Sequence, residues 1–184
     1  MFILDLKLCT GCRRCEVACS FYHFKLFSRK YSRIKVVKIE EIGIDAPVFC
    51  IQCKEKYCLN NCPQKALYTG DYGEITVDVK KCNGCNLCSL YCPIGAIEII
   101  DGYPILCDLC QGNPECIKVC NTGALKIDEN KKKAVSLHLN KFIMKKSPEE
   151  KRYNYIKKIS KELRNKWKNR IMKENLCSDI QVND

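Results

Sequence analysis

Short stretches of alternating apolar and polar residues recur along the chain and predict β-hairpins. One covers residues 66–79, with a turn at 70–73. A second covers residues 97–106 and turns at Asp101-Gly102, a pair that favours a two-residue hairpin turn. A third covers residues 125–137, with its turn at 128–133, and a longer single strand is expected at 34–39. The pattern therefore predicts small hairpins separated by irregular segments.

The C-terminal part has a helical period and predicts one amphipathic helix over residues 148–175. Ser147, Pro148 and Glu150 are suited to the N-cap, the first helical position and the third. Apolar residues then recur at three- and four-residue steps: Ile156, Ile159, Leu163, Trp167 and Ile171. This stripe could fold back on the chain's own core, bind a catalytic subunit or a repeated copy of the chain, or lie on a membrane surface. We favour a partner subunit.

Sixteen of the 17 cysteines form four groups of four, which changes the picture from a set of hairpins to a metalloprotein. The groups are Cys9, Cys12, Cys15, Cys19; Cys50, Cys53, Cys58, Cys62; Cys82, Cys85, Cys88, Cys92; and Cys107, Cys110, Cys116, Cys120. The first and third have the spacing C-x2-C-x2-C-x3-C, and the other two lengthen the middle gap. Thiolates are the ligands of iron–sulfur clusters, and one cubic cluster needs four. We therefore predict four [4Fe–4S] clusters with these sixteen cysteines as metal ligands.

The spacing also predicts that the groups work in couples. Three closely spaced cysteines can surround three corners of one cube from a single loop. In two-cluster ferredoxins the fourth cysteine ligates the other cluster of the pair. We expect this fourth cysteine to lead into a short helix, because Pro63 and Pro93 follow it in two groups and proline suits a first helical turn.

Two other uses of cysteine fit less well. Disulfides need an oxidising compartment, and residues 1–5 lack the basic and apolar segments of a signal peptide, so we expect a cytoplasmic protein. Structural zinc sites usually consist of two cysteine pairs separated by a longer spacer. Cys177 stands alone, and we interpret it as a thiol without a metal role.

The formal charge of +11 is concentrated in the tail. Residues 131–184 contain 16 basic and 6 acidic side chains. Each oxidised cube with its four thiolates adds about −2, so the loaded protein is near +3, with an acidic core. High basicity is therefore a weak indication of nucleic-acid binding, which we do not expect. No apolar run is long enough to cross a membrane, and we do not expect membrane association.

Three segments carry a resemblance to a known family: residues 9–19, the Ser32-Arg33-Ile34 segment and residues 107–116. The four groups, their order and the hairpins between them, over residues 1–137, resemble the four-cluster iron–sulfur subunits of the dimethyl sulfoxide reductase and formate dehydrogenase family. Within this family, the three segments are most similar to small subunits of tungsten aldehyde oxidoreductases, and they are also similar to the ferredoxin-like partner of carbon monoxide dehydrogenase. It departs from the pattern because Cys19 and Cys120 lack a following proline.

The resemblance implies how the groups pair. One cube would take Cys9, Cys12, Cys15 and Cys120, and its mate Cys107, Cys110, Cys116 and Cys19. A third would take Cys50, Cys53, Cys58 and Cys92, and a fourth Cys82, Cys85, Cys88 and Cys62. The implied fold is α+β, with two interleaved bacterial-ferredoxin-like two-cluster modules and a C-terminal helical extension. Residues 1–137 would form the four-cluster domain, with 48–103 as the inserted module of the second and third groups, and residues 138–184 the basic extension.

The function implied is that of a non-catalytic electron-transfer subunit in an anaerobic oxidoreductase complex. The predicted partner is a tungsten or molybdenum catalytic subunit of the aldehyde oxidoreductase type. Carbon monoxide dehydrogenase, hydrogenase, formate dehydrogenase and a free-standing soluble polyferredoxin are the alternatives, and self-association or a second redox protein is left open. No phosphate loop, nucleophile motif or paired-carboxylate arrangement indicates substrate chemistry.

Few other residues suggest a role. We assign no axial or acid–base function to His23 or His138, because neither has a constellation of partners in the sequence. Four tyrosines near cluster ligands could shield cubes from water, although packing of a small core is the simpler interpretation. They are Tyr22, Tyr57, Tyr91 and Tyr103.

Overall fold

The computed structural model describes residues 2–127 and 134–173. These residues form eight short strands, which pair into four separate two-stranded antiparallel sheets. The strands are β1 (Phe2–Leu4), β2 (Lys35–Ile39), β3 (Ile44–Val48), β4 (Leu67–Thr69), β5 (Ile75–Val77), β6 (Glu98–Ile100), β7 (Tyr103–Ile105) and β8 (Leu125–Ile127). The helices are α1 (Arg14–Phe24), α2 (Tyr57–Asn60), α3 (Leu87–Tyr91), α4 (Glu115–Lys118), α5 (Lys141–Met144), α6 (Pro148–Ile159) and α7 (Lys161–Lys173).

Two of the predicted hairpins are confirmed. Strand β4 pairs with β5, and β6 pairs with β7 across the Asp101-Gly102 turn. Asp101 and Gly102 both have positive φ, 51° and 83°, as a type I′ hairpin turn requires. The strand expected at 34–39 is also present as β2, and its partner β3 follows directly after a 3₁₀ turn at Glu40–Ile42.

The third predicted hairpin is wrong. Strand β8 pairs with β1, so that Phe2 lies opposite Ile127 and Leu4 opposite Leu125. Residues 134–140 form no strand and pack instead against the second cysteine group, where the Lys54 N–H donates to the Val135 carbonyl at 3.0 Å. The predicted turn at 128–133 lies outside the described residues. The apolar N-terminal residues thus provide the strand partner, which brings the first and fourth cysteine groups together.

The apolar core is centred on the β2–β3 ribbon. Its fully buried side chains come from both strands and from their flanks: Ile34, Ile39, Ile44, Ala46 and Val48. Cysteines of all four groups join the same core cluster, so sulfur atoms occupy positions that aliphatic side chains fill in other small domains. Ile156 of α6 completes the core from the C-terminal part.

The short helices lie before the fourth cysteine of a group and not after it, which corrects our expectation. Helices α2, α3 and α4 each contain the third cysteine of their group and end before the fourth. After the fourth cysteine the chain turns, because Lys65, Gly95 and Gly123 adopt left-handed backbone conformations at equivalent positions. A left-handed residue ends a helical path, so Pro63 and Pro93 stand in turns.

The start of α6 is confirmed. The Ser147 hydroxyl accepts from the Glu150 N–H at 3.2 Å, and the Glu150 carboxylate accepts from the Ser147 N–H at 2.8 Å. The single long helix is not observed, because Ser160 separates α6 from α7 within the part of the chain that is described. The Ser160 side chain is fully buried and donates to the Lys157 carbonyl at 3.4 Å. Such a side-chain bond competes with helical hydrogen bonding at that turn.

The stripe of the predicted helix divides between two environments. Ile156 is completely buried, and α6 packs against β2 and β3. This half folds back on the chain's own core, so our preference for a partner subunit is wrong for α6. In α7, Trp167 and Ile171 remain 37% and 48% exposed.

Gly95 allows α6 to pack closely on the loop after the third cysteine group. A Cβ atom at Gly95 would lie 2.1 Å from the Pro148 carbonyl oxygen, whereas one at Gly123 would have no atom within 4 Å. The two glycines have nearly the same φ, 66° and 67°. The two glycines therefore share one backbone conformation and differ in whether α6 packs against them.

We predict that Gly95→Ala destabilises the docked α6 much more than Gly123→Ala does. Both substitutions cost about 1–2 kcal/mol for an alanine in a left-handed conformation. Gly95→Ala additionally forces the start of α6 away from the core. Anaerobic thermal unfolding of the metal-loaded protein and limited proteolysis at α6 measure the difference. Equal midpoints and equal cleavage rates for the two variants would contradict the prediction.

Candidate metal centres

The structure brings cysteines of different groups around common cavities. All sixteen grouped cysteines are described, and none of them forms a disulfide. Three cavities are each lined by four of them. Site A is lined by Cys9, Cys12, Cys15 and Cys120. Site C is lined by Cys50, Cys53, Cys58 and Cys92. Site D is lined by Cys62, Cys82, Cys85 and Cys88. In each, three cysteines come from one group and the fourth from another.

The remaining four cysteines form site B: Cys19, Cys107, Cys110 and Cys116. These four sulfur atoms are close enough for their charges to act on one another. Burial raises the pKa of Cys116, and the charges of Cys107, Cys19 and Cys110 raise it further. Helix α1, which carries Cys19, packs against α4, which carries Cys116. These two helices therefore join the first and fourth groups.

The loop of every group is bent by a left-handed residue just before its second cysteine. The φ values are 62° for Gly11, 51° for Gln52, 71° for Gly84 and 60° for Leu109. This conformation turns backbone N–H groups toward the sulfur atoms, and Cys9, Cys50 and Cys107 each accept a hydrogen bond from the left-handed residue of their own loop. The four loops therefore share one backbone design, although only two have a glycine there.

The fourth cysteine of each group also accepts a backbone hydrogen bond. Ala66 donates to Cys62 at 3.3 Å, and Ala96 donates to Cys92 at 3.2 Å. Leu125 donates to Cys120 at 3.5 Å. Cys19 follows a different route, because α1 continues beyond it, and the distant Arg33 N–H donates to its sulfur at 3.3 Å. Such N–H bonds stabilise the thiolate form, which is the ligand form.

Burial and mutual repulsion disfavour the thiolate form of these cysteines when no cation is bound. Burial raises the pKa of Cys15 and of Cys58 to about 12, and neighbouring charges add to the effect. Burial likewise raises the pKa of Cys88 and of Cys110 to about 11. Four thiolates can share such a site only if a cation compensates them. The donor sets, each of four soft sulfur atoms close together, fit a cationic iron–sulfur core.

The four sites follow one another in the order A, B, C, D. The charge of Cys15 at site A acts on Cys116 at site B. Cys107 at site B acts on Cys50 at site C, and Cys88 at site D acts on Cys58 at site C. At the two ends, Cys12 of site A and Cys85 of site D are exposed. The order gives one path with two accessible ends.

A buried carboxylate that sequence analysis missed supports the first group. Glu16 in α1 is 1% exposed and accepts from the Val36 N–H at 2.7 Å. Its other oxygen lies 3.0 Å from Arg29 and 3.4 Å from Arg13. The interaction fixes α1 on β2 and so positions Cys15. A glutamate in the middle of a cysteine group gave no sequence signal for this distant contact.

His23 has the partners that the sequence did not reveal. Its Nε2 atom lies 3.7 Å from the Cys110 sulfur and 3.3 Å from the Asp108 carboxylate. Asp108 in turn pairs with Arg33 at 2.5 Å. Burial and the Arg33 charge lower the pKa of His23 to about 4, so the imidazole is neutral near pH 7. His138, in contrast, is exposed.

Of the four tyrosines singled out, Tyr57 lines the cysteine cavity of site C. Its hydroxyl donates to the Leu137 carbonyl at 3.2 Å, which fixes the ring over the site. Tyr22 packs edge-on against His23. Tyr91 is half-buried, and Tyr103 lines a separate cavity of about 390 Å³ whose lining contains no cysteine. Cys177 lies outside the described residues.

Among the described helices, none combines the length and apolar character needed to cross a bilayer.

Comparison with known families supports the interpretation of the cysteine groups as iron–sulfur sites. Residues 8–67 and residues 49–96 each match a family described as "4Fe-4S dicluster domain". The two matched ranges together include the first three groups, and they overlap at the second group. [4Fe–4S] clusters are therefore the cofactor class of these sites.

The chain is similar to subunits of oxidoreductase complexes and to a putative electron transport protein. The aliphatic sulfonate oxidoreductase polyferredoxin-like subunit of Pyrococcus furiosus is 40% identical over 125 residues, which cover 65% of this chain and 72% of that protein. The putative electron transport protein YsaA of Escherichia coli K12 is 37% identical over 137 residues, which cover 67% of this chain and 85% of that protein. A chain of the benzoyl coenzyme A reductase complex BamBC is 30% identical, with 68% of this chain and 76% of that chain covered and a TM-score of 0.41.

Proposed function

The chain belongs to the family of [4Fe–4S] dicluster ferredoxin-like electron-transfer subunits, and on this premise we propose that it is a four-cluster wire in an oxidoreductase complex. The observation that carries the proposal is the arrangement of the sixteen cysteines. Sites A, C and D each combine three cysteines of one group with the fourth cysteine of another around one cavity. Site B has the same three-plus-one composition.

We assign one [4Fe–4S] cluster to each site, with its four cysteines as ligands. When bound, each cluster supplies one-electron redox chemistry. The chain holds the thiolates at fixed positions, directs backbone N–H groups at the sulfur atoms and excludes water by burial. The order A, B, C, D then allows electrons to enter at one exposed end and leave at the other. In this role the chain transfers electrons and does not itself transform a substrate.

The interleaved division of the chain is part of the same proposal. Residues 48–103 form the inserted module with sites C and D, within a four-cluster domain of residues 1–137. Pairing of β1 with β8 and packing of α1 on α4 support it, because both contacts close the outer module around the inserted one. Residues 138–184 form the basic extension, of which α6 is docked on the four-cluster domain.

The proposed partner is a catalytic oxidoreductase subunit in the cytoplasm, of the tungsten or molybdenum aldehyde oxidoreductase type that the sequence resemblance implies. Similarity to a polyferredoxin-like subunit of an aliphatic sulfonate oxidoreductase supports a complex of this general kind. The exposed ends at Cys12 and Cys85 would serve the catalytic subunit and a second redox protein.

Metal content tests the number of clusters. Anaerobically reconstituted protein should contain about sixteen iron and about sixteen sulfide ions per chain, because four complete cysteine sets each hold a four-iron cube. Zinc should be below stoichiometric amounts. Iron, sulfide and zinc analysis of the same sample measures this, and about four zinc ions with little iron would refute it.

Cys120→Ser tests ligation between groups. It should perturb the cluster of site A, whose other ligands belong to the first group, and leave site B with its full set. EPR spectra of the reduced protein should lose or change one of four components. Cys177→Ser is the control, since this lone cysteine should leave iron content and spectra unchanged. A structure with all four cysteines of one group on one cube would contradict the assignment.

The partner is tested by isolation of the native complex. The protein is purified anaerobically from cells that express it at its natural level. It should co-purify with a catalytic subunit in a fixed ratio, and this ratio should persist through size-exclusion chromatography. Tungsten and molybdenum analysis of the complex identifies the enzyme type. Recovery of the chain alone, fully loaded with iron, would favour the free-standing polyferredoxin.

A further inference from the structure

A lysine of the C-terminal extension is buried beside the inserted module. Lys151 of α6 is 2% exposed. Its ammonium group donates to the Ser89 carbonyl at 3.1 Å and to the Leu90 carbonyl at 2.7 Å. Both carbonyls belong to α3, close to its C-terminal end, where a positive charge is favourable. This helix contains Cys88 of site D and ends directly before Cys92 of site C.

The loop that follows Cys92 is held by the next residue of α6, Arg152. Arg152 donates to the Gly95 carbonyl at 2.9 Å and pairs with Glu98 at 2.7 Å. Glu98 also pairs with Lys35 of β2 at 3.0 Å, which links the loop to the core ribbon. The Cys92 sulfur accepts from Ala96 within this loop. Lys151 therefore binds the segment before Cys92, and Arg152 binds the segment after it.

The charges of Lys151 and Cys92 are close enough to act on each other. Burial lowers the pKa of Lys151, and the Cys92 thiolate counteracts part of that shift. Cys92 is also the ligand that crosses from the third group to site C. The ammonium group therefore lies against the end of α3, directly before one particular crossing ligand.

We propose that Lys151 is a positioning residue that holds the Cys92 segment at site C and raises the reduction potential of the cluster there by its positive charge. The proposal rests on the cluster assignment made above. Reduction adds one negative charge to a cluster, and a nearby cation stabilises that charge more strongly inside a protein than in water. The basic extension, which lies outside the shared four-cluster pattern, thereby sets the properties of a central member of the wire.

The test compares charge and shape at residue 151 in the full-length, anaerobically reconstituted protein. Lys151→Met removes the charge and both hydrogen bonds but keeps an unbranched chain, and Lys151→Gln removes the charge but keeps a donor. Lys158→Met, which removes an exposed lysine from the same helix, is the matched control. EPR-monitored redox titration measures the potential of each cluster, and Cys92→Ser identifies the component that belongs to site C.

We expect both Lys151 variants to lower the potential of the site C component and to leave the other three within error. We expect Lys158→Met to match the wild type. Selective loss of one cluster, seen as about twelve instead of about sixteen iron ions per chain, would also support the anchoring of Cys92. Unchanged potentials with full iron content would overturn the proposal, as would equal loss of all clusters, which would show a merely structural contact. A wild-type protein with fewer than four clusters would instead contradict the cluster assignment, whatever Lys151 does.

Discussion

Repulsion among buried thiolates is the constraint on which the rest of the structure depends. Sixteen sulfur atoms gather at four sites, and burial together with neighbouring negative charges raises the pKa of thiols such as Cys15 and Cys58 to about 12. Four buried thiolates are tolerated at one site only when a metal core neutralises them, so cluster binding stabilises this fold. The left-handed loop residues and the N–H donors to Cys62, Cys92 and Cys120 then have a common purpose, which is to stabilise sulfur in its charged form.

The same constraint explains the distribution of positive charge. Loaded clusters would make the proposed four-cluster domain acidic, while 16 of the 32 basic side chains lie in residues 131–184. The extension is therefore attracted to the domain, and it is fixed there by specific contacts: Lys151 on α3, Arg152 on Glu98 and Tyr153 on Glu41. Ile156 adds apolar burial to these polar contacts. Attraction and packing act together, which is why α6 belongs to the domain although it lies beyond the last cysteine group.

Local signals made much of this architecture predictable. Cysteine spacing predicts which side chains gather at the four sites, Asp101-Gly102 predicts a hairpin turn, and the Ser147–Glu150 capping box predicts the start of α6. These features are determined by residues a few positions apart. Pairing of β8 with β1, docking of α6 and the His23–Asp108 contact join residues far apart in the chain, where short segments have several equally suitable partners. The third hairpin was mispredicted for that reason, because residues 134–137 alternate like a strand but β1 is the partner in space.

The repeated cysteine groups also show how equivalent loops acquire different properties. Lys65, Gly95 and Gly123 follow their fourth cysteines at the same spacing and share a left-handed conformation, yet only Gly95 lies under Pro148. Backbone geometry after the fourth cysteine is thus common to the second, third and fourth groups, whereas in the first group α1 continues beyond Cys19. What differs is the second layer of contacts, which at Cys92 is a buried lysine and at Cys110 a neutral histidine. Chemically identical cubes in such loops would differ in potential because charge and hydrogen bonding in this outer layer, and not the ligand set, differ from site to site.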